Sequence, residues 1–166
     1  MSIVDINHAC AFTGHRPEKL DASEEEVKTW LEEKINDAIN DGYTDFITGM
    51  QRGVDLWAAE ILVNLKREGI PIRIIAACAF KGMENRWDNS WKKTYNHVLK
   101  FADEINTIGK YPGKAAFFLR DEWMVDHASR LIAVYTGASG GTKKTVDYAR
   151  KKGIEVVSYL HKSIKG

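Results

Sequence analysis

Residues 129–144 have the sequence SRLIAVYTGASGGTKK, the most informative stretch of the chain. Its apolar run, Leu131 to Tyr135, has the length and the β-branched content of a buried strand. A glycine-rich turn follows, and a helical pattern then begins that carries Val146 and Ala149 on one side and lysines on the other. A strand, a glycine turn and a helix in this order aim free backbone N–H groups at an anion. The stretch therefore predicts a phosphate-binding turn in an α/β domain.

The same alternation of strand and helix extends over the whole chain. Apolar runs predict six strands, near residues 9–12, 45–48, 70–77, 104–108, 131–135 and 154–160. Helical periodicity predicts five helices between them, near residues 24–39, 55–65, 90–102, 115–127 and 143–151. Strict alternation with short crossovers is typical of a parallel sheet. We therefore predict an α/β fold, an open parallel sheet of about six strands with helices on both faces.

Composition describes an ordinary globular protein of 166 residues, with 44% hydrophobic and 28% charged residues. The net charge is only +1, from 24 Lys and Arg against 23 Asp and Glu. This balance argues against nucleic acid or an anionic membrane as a partner. No apolar stretch approaches membrane-spanning length and the N-terminus lacks a signal-peptide pattern, so we expect a cytoplasmic protein. The two cysteines, Cys10 and Cys78, lie in apolar runs typical of small buried thiols.

The unusual residues fall on one edge of the predicted sheet. Glycines and polar residues follow the first, second, third and fifth strands, whereas the other edge carries plain helix stops such as Glu68-Gly69. Ligands of open parallel sheets bind beyond the carboxyl ends of the strands. This asymmetry predicts a ligand site. Its candidate residues are Thr13, Gly14, His15, Arg16, Gly49, Gly53, Asp55, Arg120, Gly137, Gly140, Gly141 and Thr142.

Each candidate has a structural alternative. The backbone N–H groups of Gly140 and Gly141 and the Thr142 hydroxyl are suited to binding a phosphate. The alternative is an ordinary turn in which Thr142 caps the following helix. Arg16 is suited to a phosphate or carboxylate and His15 to donating to the same group, but a solvated turn explains both. The turn is neither a Walker A loop nor GxGxxG.

Acidic and aromatic candidates are also open to two interpretations. Asp55 is placed to accept from a ribose hydroxyl, or it simply begins a helix. Arg120 is a site residue or part of an ion pair. Trp87 and Trp91 stack on a base or pack under a loop, and packing is favoured. No Cys or His cluster has ligand spacing, so we expect no metal.

Four motifs together resemble one known family. They are Thr13-Gly14-His15-Arg16-Pro17, the segment Gly49 to Glu60, Arg120-x-x-x-Met124-Val125-Asp126, and the segment Leu131 to Ala149. The chain resembles the YpsA-like family of the SLOG superfamily, which also holds DprA and the lonely-guy proteins. This resemblance covers nearly the whole chain, and it implies one Rossmann-like domain over residues 1–166, in a bacterial protein.

The resemblance also implies a function. SLOG glycine turns bind a nucleotide or a nucleotide-derived ligand, and lonely-guy relatives are phosphoribohydrolases with a signature similar to Pro-Gly-Gly-x-Gly-Thr-x-x-Glu. Matching Gly141-Thr142 to its Gly-Thr places Thr145 where the glutamate belongs, and a Thr cannot replace a catalytic carboxylate. Family members often carry Asn after the Arg120 equivalent, where this chain has Asp121.

The leading hypothesis is therefore a sensor that binds a nucleotide-like small molecule such as ADP-ribose or an NAD derivative; no other cofactor is implied. A first alternative is an enzyme, a nucleotide N-glycosidase or hydrolase that uses Glu60 or Asp55 as its carboxylate. A second is an interaction protein with a vestigial pocket, since the family is associated with cell division and envelope processes. Whether the chain forms a homo-oligomer stays open.

Overall fold

The computed structural model describes residues 2–136 and 140–159, and it confirms the six-stranded parallel sheet and its five α-helices. The strands are β1 (Ala9–Gly14), β2 (Asp45–Thr48), β3 (Arg73–Cys78), β4 (Glu104–Thr107), β5 (Arg130–Val134) and β6 (Glu155–Tyr159). The α-helices are α1 (Glu24–Asn40), α2 (Val54–Arg67), α3 (Asn89–Phe101), α4 (Lys114–Asp126) and α5 (Gly141–Lys152). Short 3-10 helices cover Ile6–His8 and Pro17–Lys19.

The order of the strands in the sheet is β4-β3-β2-β1-β5-β6, and every neighbouring pair is parallel. The chain moves outward from β1 to β4 and then returns to place β5 on the free side of β1. Strand order therefore reverses between β1 and β5, where Gly14 is in register with Val134. In sheets of this kind the reversal opens a crevice beyond the carboxyl ends of the strands.

Two hydrophobic cores lie on opposite faces of the sheet, because successive side chains of a strand point to opposite sides. Cys10 and Phe12 of β1 belong to the core that contains the buried residues of α1, α2 and α3. Ala9 and Ala11 belong to the core that contains those of α5 and the C-terminal half of α4. This coverage of both faces explains why the side chains on both faces of the central strands are largely apolar.

Local sequence sets where α1 begins. Ser23 accepts a hydrogen bond from the Glu26 backbone N–H at 3.1 Å, and the Glu26 carboxylate accepts from the Ser23 backbone, which completes a capping box. Leu31 and Ile35 recur on the buried face and are fully buried. Each contributes about 1.5–3 kcal/mol of burial energy.

Strand β3 begins at Arg73, three residues later than the apolar run predicted. Pro71 has no backbone N–H to donate to a ladder, and the Ile72 N–H bonds Ile70 O at 2.9 Å instead. Arg73 then forms a two-pronged ion pair with the fully buried Asp45, with both N–O distances at 2.8 Å. This pair closes the edge of the sheet opposite to the predicted site.

Cys10 and Cys78 are buried free thiols, as their apolar surroundings predicted. Burial raises the pKa of both thiols, so neither is a reactive thiolate. Among the described helices, none is long and apolar enough to cross a membrane. The cytoplasmic location stays a prediction.

Candidate functional site

The carboxyl edge of the sheet brings together residues from three of the predicted turns. Thr13, Gly14 and His15 stand at the end of β1; Gly49, Gly53 and Asp55 follow β2; and Gly140, Gly141 and Thr142 begin α5. Strand pairing places β1 between β2 and β5, so the three turns are neighbours. Gly137 lies outside the described residues.

His15 connects the two sides of the crevice. Its backbone N–H extends the ladder by donating to Val134 O at 3.1 Å, and its ring Nε2 accepts from the Thr136 backbone N–H at 3.0 Å. An accepting Nε2 requires the neutral ring with its hydrogen on Nδ1. Burial, followed by the charge of Lys19, lowers the pKa of His15, which favours this neutral form. In this structure Nε2 therefore holds the β5–α5 segment and is not free to donate to a ligand.

Arg16 differs from its buried neighbours. Thr13 and His15 are buried, whereas Arg16 is exposed and its guanidinium has no hydrogen bond or ion pair with a described residue. Pro17 begins a 3-10 helix directly after it and holds Arg16 in an extended conformation. The guanidinium of Arg16 is thus available at the mouth of the crevice.

The turn from β2 to α2 is closed by a buried hydroxyl. Thr48 Oγ1 donates to Asp55 O at 3.0 Å and accepts from the Met50 backbone N–H at 3.2 Å. Met50 is fully buried and has a left-handed backbone, with φ of 62°. That conformation costs about 1–3 kcal/mol for a residue with a side chain, and it persists only where surrounding contacts enforce it. Nothing in the sequence pattern marked Met50 as strained.

Gly49 is required by a close approach of two charged side chains. A Cβ at this position would lie 2.7 Å from Asp55 Oδ2 and 3.0 Å from Arg120 Cζ. Asp55 comes from the first turn of α2 and Arg120 from the middle of α4. The end of β2 is therefore the point where α2 and α4 bring opposite charges together.

Asp55 is 8% exposed and has an unusual acidity. Its Oδ2 accepts one long hydrogen bond, from Gln51 N at 3.4 Å. Burial raises the pKa of this carboxyl to about 7; Arg120 opposes the shift and Asp121 adds to it. A carboxyl with a pKa near neutrality both donates and accepts protons readily. Asp55 does lie in the first turn of its helix, but its side chain does not cap it.

A chain of polar contacts links the β2–α2 turn to the start of α5. Arg120 donates through Nη1 to Gly49 O and through Nε to Asp121 Oδ1. The Thr145 hydroxyl lies 3.1 Å from Asp121 Oδ2 and 2.9 Å from Gly141 O, and it can donate to either. Arg120 thus takes part in an ion pair, with its side chain only 5% exposed. In the sequence, Asp121 and Thr145 differ from the family patterns, but nothing there predicts these contacts.

Among the described residues, no side chain caps the N-terminus of α5. Its N-cap is Gly140, with φ of 143°, and the first helical bond runs from Lys144 N to Gly140 O at 3.1 Å. No described atom lies within 4 Å of a Cβ built on Gly140 or on Gly141. Thr142 is only 8% exposed, and its hydroxyl makes no hydrogen bond with a described residue. The arrangement leaves backbone donors and one hydroxyl for an anion.

Other candidates lie apart from this edge or have packing roles. Glu60 is partly exposed, and its carboxylate has no hydrogen bond or ion pair with a described residue. Trp57 is in the core and packs on Trp91, with ring centroids 6.3 Å apart. Trp87 packs edge-on against Tyr95 at 5.6 Å, which is the packing role that the sequence favoured. In the described part of the chain, no three His, Cys, Asp or Glu side chains come together as metal ligands.

Comparison with known proteins supports the family assignment. The model of the YspA SLOG family matches residues 10–165. A UPF0398 protein of Bacillus cereus strain G9842 is 28% identical over 158 residues, which cover 90% of this chain and 85% of that protein. A UPF0398 protein of Bacillus thuringiensis strain Al Hakam is 27% identical over 157 residues, with the same coverage.

Three solved structures share the fold. DNA processing protein A (DprA) from Streptococcus pneumoniae has a TM-score of 0.60 at 17% identity, and the match covers 90% of this chain but 49% of that one. DprA from Helicobacter pylori, whose structure is described with its single-stranded DNA binding mode, has a TM-score of 0.62 at 14% identity over 93% of this chain and 65% of that one. TM1055, a structural genomics target, has a TM-score of 0.56 at 14% identity over 89% of this chain and 71% of that one.

One prediction needs correction. We expected the charge balance to argue against nucleic acid as a partner, and this was wrong, because a DprA of the same fold binds single-stranded DNA. Net charge averages over the whole surface. A nucleic-acid site needs only a local basic groove with stacking side chains, and a near-neutral chain can carry one.

Proposed function

The chain belongs to the YspA SLOG family, and from this membership we propose that it binds a nucleotide or a nucleotide-derived ligand, with a phosphate held at the N-terminus of α5. The observation that carries the proposal is the uncapped first turn of α5, with open space over Gly140 and Gly141. Free N–H groups at a helix N-terminus carry partial positive charge and favour an anion.

Thr142 supports the same proposal. Thr142 is 8% exposed, and its hydroxyl has no hydrogen bond to a described residue, so it is available to a ligand. A phosphate oxygen at the turn would accept from it. Arg16 at the mouth of the crevice would neutralise a second anionic group, which suits a diphosphate such as ADP-ribose or an NAD derivative.

The test is thermal shift of the wild-type chain with pyrophosphate, nucleoside mono- and diphosphates, ADP-ribose and NAD. A site filled to about a hundred times its dissociation constant adds roughly 2.7 kcal/mol to the free energy of unfolding. Thr142→Val should weaken binding about three- to tenfold, because it removes one hydrogen bond. Thr29→Val, at an exposed position of α1, is the matched control. No stabilisation by any compound at millimolar concentration would refute the proposal.

A second candidate, hydrolysis of a nucleotide, is favoured by the near-neutral pKa of Asp55. In such a reaction water adds to C1′ of the ribose, the C1′–N bond breaks, and the base leaves with a proton. Chromatography for free base after incubation with nucleoside monophosphates and ADP-ribose tests it. Asp55→Asn should abolish release and Glu60→Gln should not; full activity in Asp55→Asn would exclude Asp55 as the carboxylate.

A third candidate is single-stranded nucleic acid, favoured by the basic outer side of α5 and by an exposed ring beside it. Lys144 Nζ lies 5.5 Å above the ring of Phe118, which is 39% exposed. Basic residues beside exposed aromatics suit a strand whose bases stack. Fluorescence anisotropy with an oligothymidylate over a salt series tests it. The affinity should fall with salt and weaken further in Lys144→Ala.

A further inference from the structure

Two carboxylates near the ends of β2 and β3 have acceptor oxygens without donors. Glu84, in the segment between β3 and α3, has its Oε1 atom buried with no hydrogen-bond partner among the described groups. Asp55, 8% exposed, accepts only the long bond from Gln51 through Oδ2, and its Oδ1 has no described donor. No pattern in the sequence marks Glu84 as a candidate site residue.

The buried oxygen of Glu84 is unusual in a folded protein. Most buried polar atoms have a partner, and an unpaired buried acceptor costs about 1–3 kcal/mol. The nearby cation does not satisfy the two carboxylates, because Arg120 donates to Gly49 O and to Asp121. Arg120 and Glu84 both act on the Cys78 thiol, lowering and raising its pKa respectively, which locates both charges near the end of β3.

The spacing of the strands separates these acceptors from the α5 turn. From β5 the sheet passes through β1 to β2 and then to β3. Neighbouring strands lie about 4.8 Å apart, so the phosphate turn and the carboxylates are about 10–14 Å apart along the edge. One phosphate ion cannot span that distance, whereas an extended ligand can.

We infer that the ligand is a nucleotide whose phosphate lies at the α5 turn. Its sugar hydroxyl donates to Asp55, and its base carries an exocyclic amine that donates to Glu84. The inference rests on the proposed function and adds the class of base. Glu84 lies beyond Asp55 from the phosphate turn, so it faces the base end. A base that presents a carbonyl there would place an acceptor against an acceptor.

The experiment measures calorimetric affinities of pyrophosphate, adenosine 5′-monophosphate and inosine 5′-monophosphate. The two nucleotides differ at C6, which carries an amine in adenosine and a carbonyl in inosine, and at the adjacent N1, which carries a hydrogen only in inosine. We expect the amine-bearing nucleotide to bind wild type at least tenfold more tightly, since hydrogen bonds to charged groups are the strong class. Glu84→Gln should remove most of that preference and leave pyrophosphate unaffected. Glu33→Gln, exposed on α1, is the control.

The outcomes separate the two proposals. Equal affinities for both nucleotides in wild type, with pyrophosphate still binding, overturn the inference and leave the phosphate site standing. Failure of all three compounds to bind overturns both. A preference that survives unchanged in a folded Glu84→Gln variant also overturns the assignment of Glu84. The comparison of nucleotides on the wild type needs no variant, so a misfolded Glu84→Gln does not prevent the decision.

Discussion

The glycines of the β1–β2 side of the carboxyl edge face protein atoms, whereas those of the α5 turn face open space. A Cβ on Gly14 would lie 2.3 Å from Val54 Cγ2, and one on Gly49 would lie 2.7 Å from Asp55 Oδ2. For Gly140 and Gly141 no described atom lies within 4 Å. The first pair is required by packing of the fold itself. Nothing among the described atoms lies against the second pair, so a phosphate can approach the backbone there, which agrees with the proposed anion site at α5.

The largest expected effect is on the packed side. Gly14→Ala places a methyl group against Val54 and should lower the free energy of unfolding by about 2–3 kcal/mol, as overpacked cores do. Urea denaturation measures it. Gly141→Ala is the matched control and should change stability by no more than about 0.5 kcal/mol. Equal losses in both variants would remove the contrast between the two regions.

The second prediction concerns ligand binding at the open α5 turn. Gly141→Ala should weaken pyrophosphate binding roughly 10- to 100-fold, because a methyl group fills the space in which a phosphate would approach the backbone. Isothermal titration calorimetry measures it. Thr29→Val serves as the control for handling and stability. Undiminished binding would show that the open space over Gly141 is not the anion site.

The third prediction concerns the strain of burying Asp55 on the packed side. Its pKa is raised to about 7 from the ordinary 3.8, so the stability contributed by the protonated carboxyl is fully present below pH 3.8 and is lost as the pH rises through 7. Asp55→Asn stays neutral throughout. Relative to wild type it should therefore gain roughly 1–3 kcal/mol between pH 5 and pH 8.

Urea denaturation at the two pH values measures this gain, with Glu60→Gln as the control. A difference between Asp55→Asn and wild type that does not change with pH would mean that the Asp55 carboxyl titrates normally. Asp55 would then be ionised near neutral pH and unsuited to donating a proton, although its carboxylate could still accept a hydrogen bond from a ligand.

The smallest effect tests the hydrogen bond that joins the two regions. His15→Ala removes the acceptor of the Thr136 N–H and should cost about 1 kcal/mol. The pKa of His15 is lowered from 6.5 by burial first and then by Lys19, while Asp21 opposes the shift. This stabilisation is therefore present above pH 6.5 and is lost as the pH falls through the lower folded value.

Hydrogen exchange of the Thr136 amide measures the change, and it should speed up about fivefold in the variant. His97→Ala, at an exposed position of α3, should leave that amide unchanged. Equal exchange in wild type and His15→Ala would show that the β5–α5 segment is held by other contacts.

Strand and helix positions followed from the sequence because their signals are local. Apolar runs located all six strands, and the start of β3 was misplaced only where Pro71 removes a ladder donor. The glycines of the turns after the strands could also be identified from the sequence. The left-handed backbone of Met50 could not be predicted, because methionine rarely adopts that conformation. Glu84 was missed because an unpaired oxygen is a property of surroundings that the sequence does not display.

A parallel α/β sheet with its unusual residues on one edge could be predicted from the sequence, because periodicity and turn chemistry act over a few neighbouring residues. Which glycines are packed and which are open could be learned only from the folded molecule. The same holds for the burial that raises the pKa of Asp55 and for the bonds of Arg120 to Gly49 and Asp121. Those properties depend on burial and on contacts between residues far apart in the chain, which exist only once β1 lies between β2 and β5.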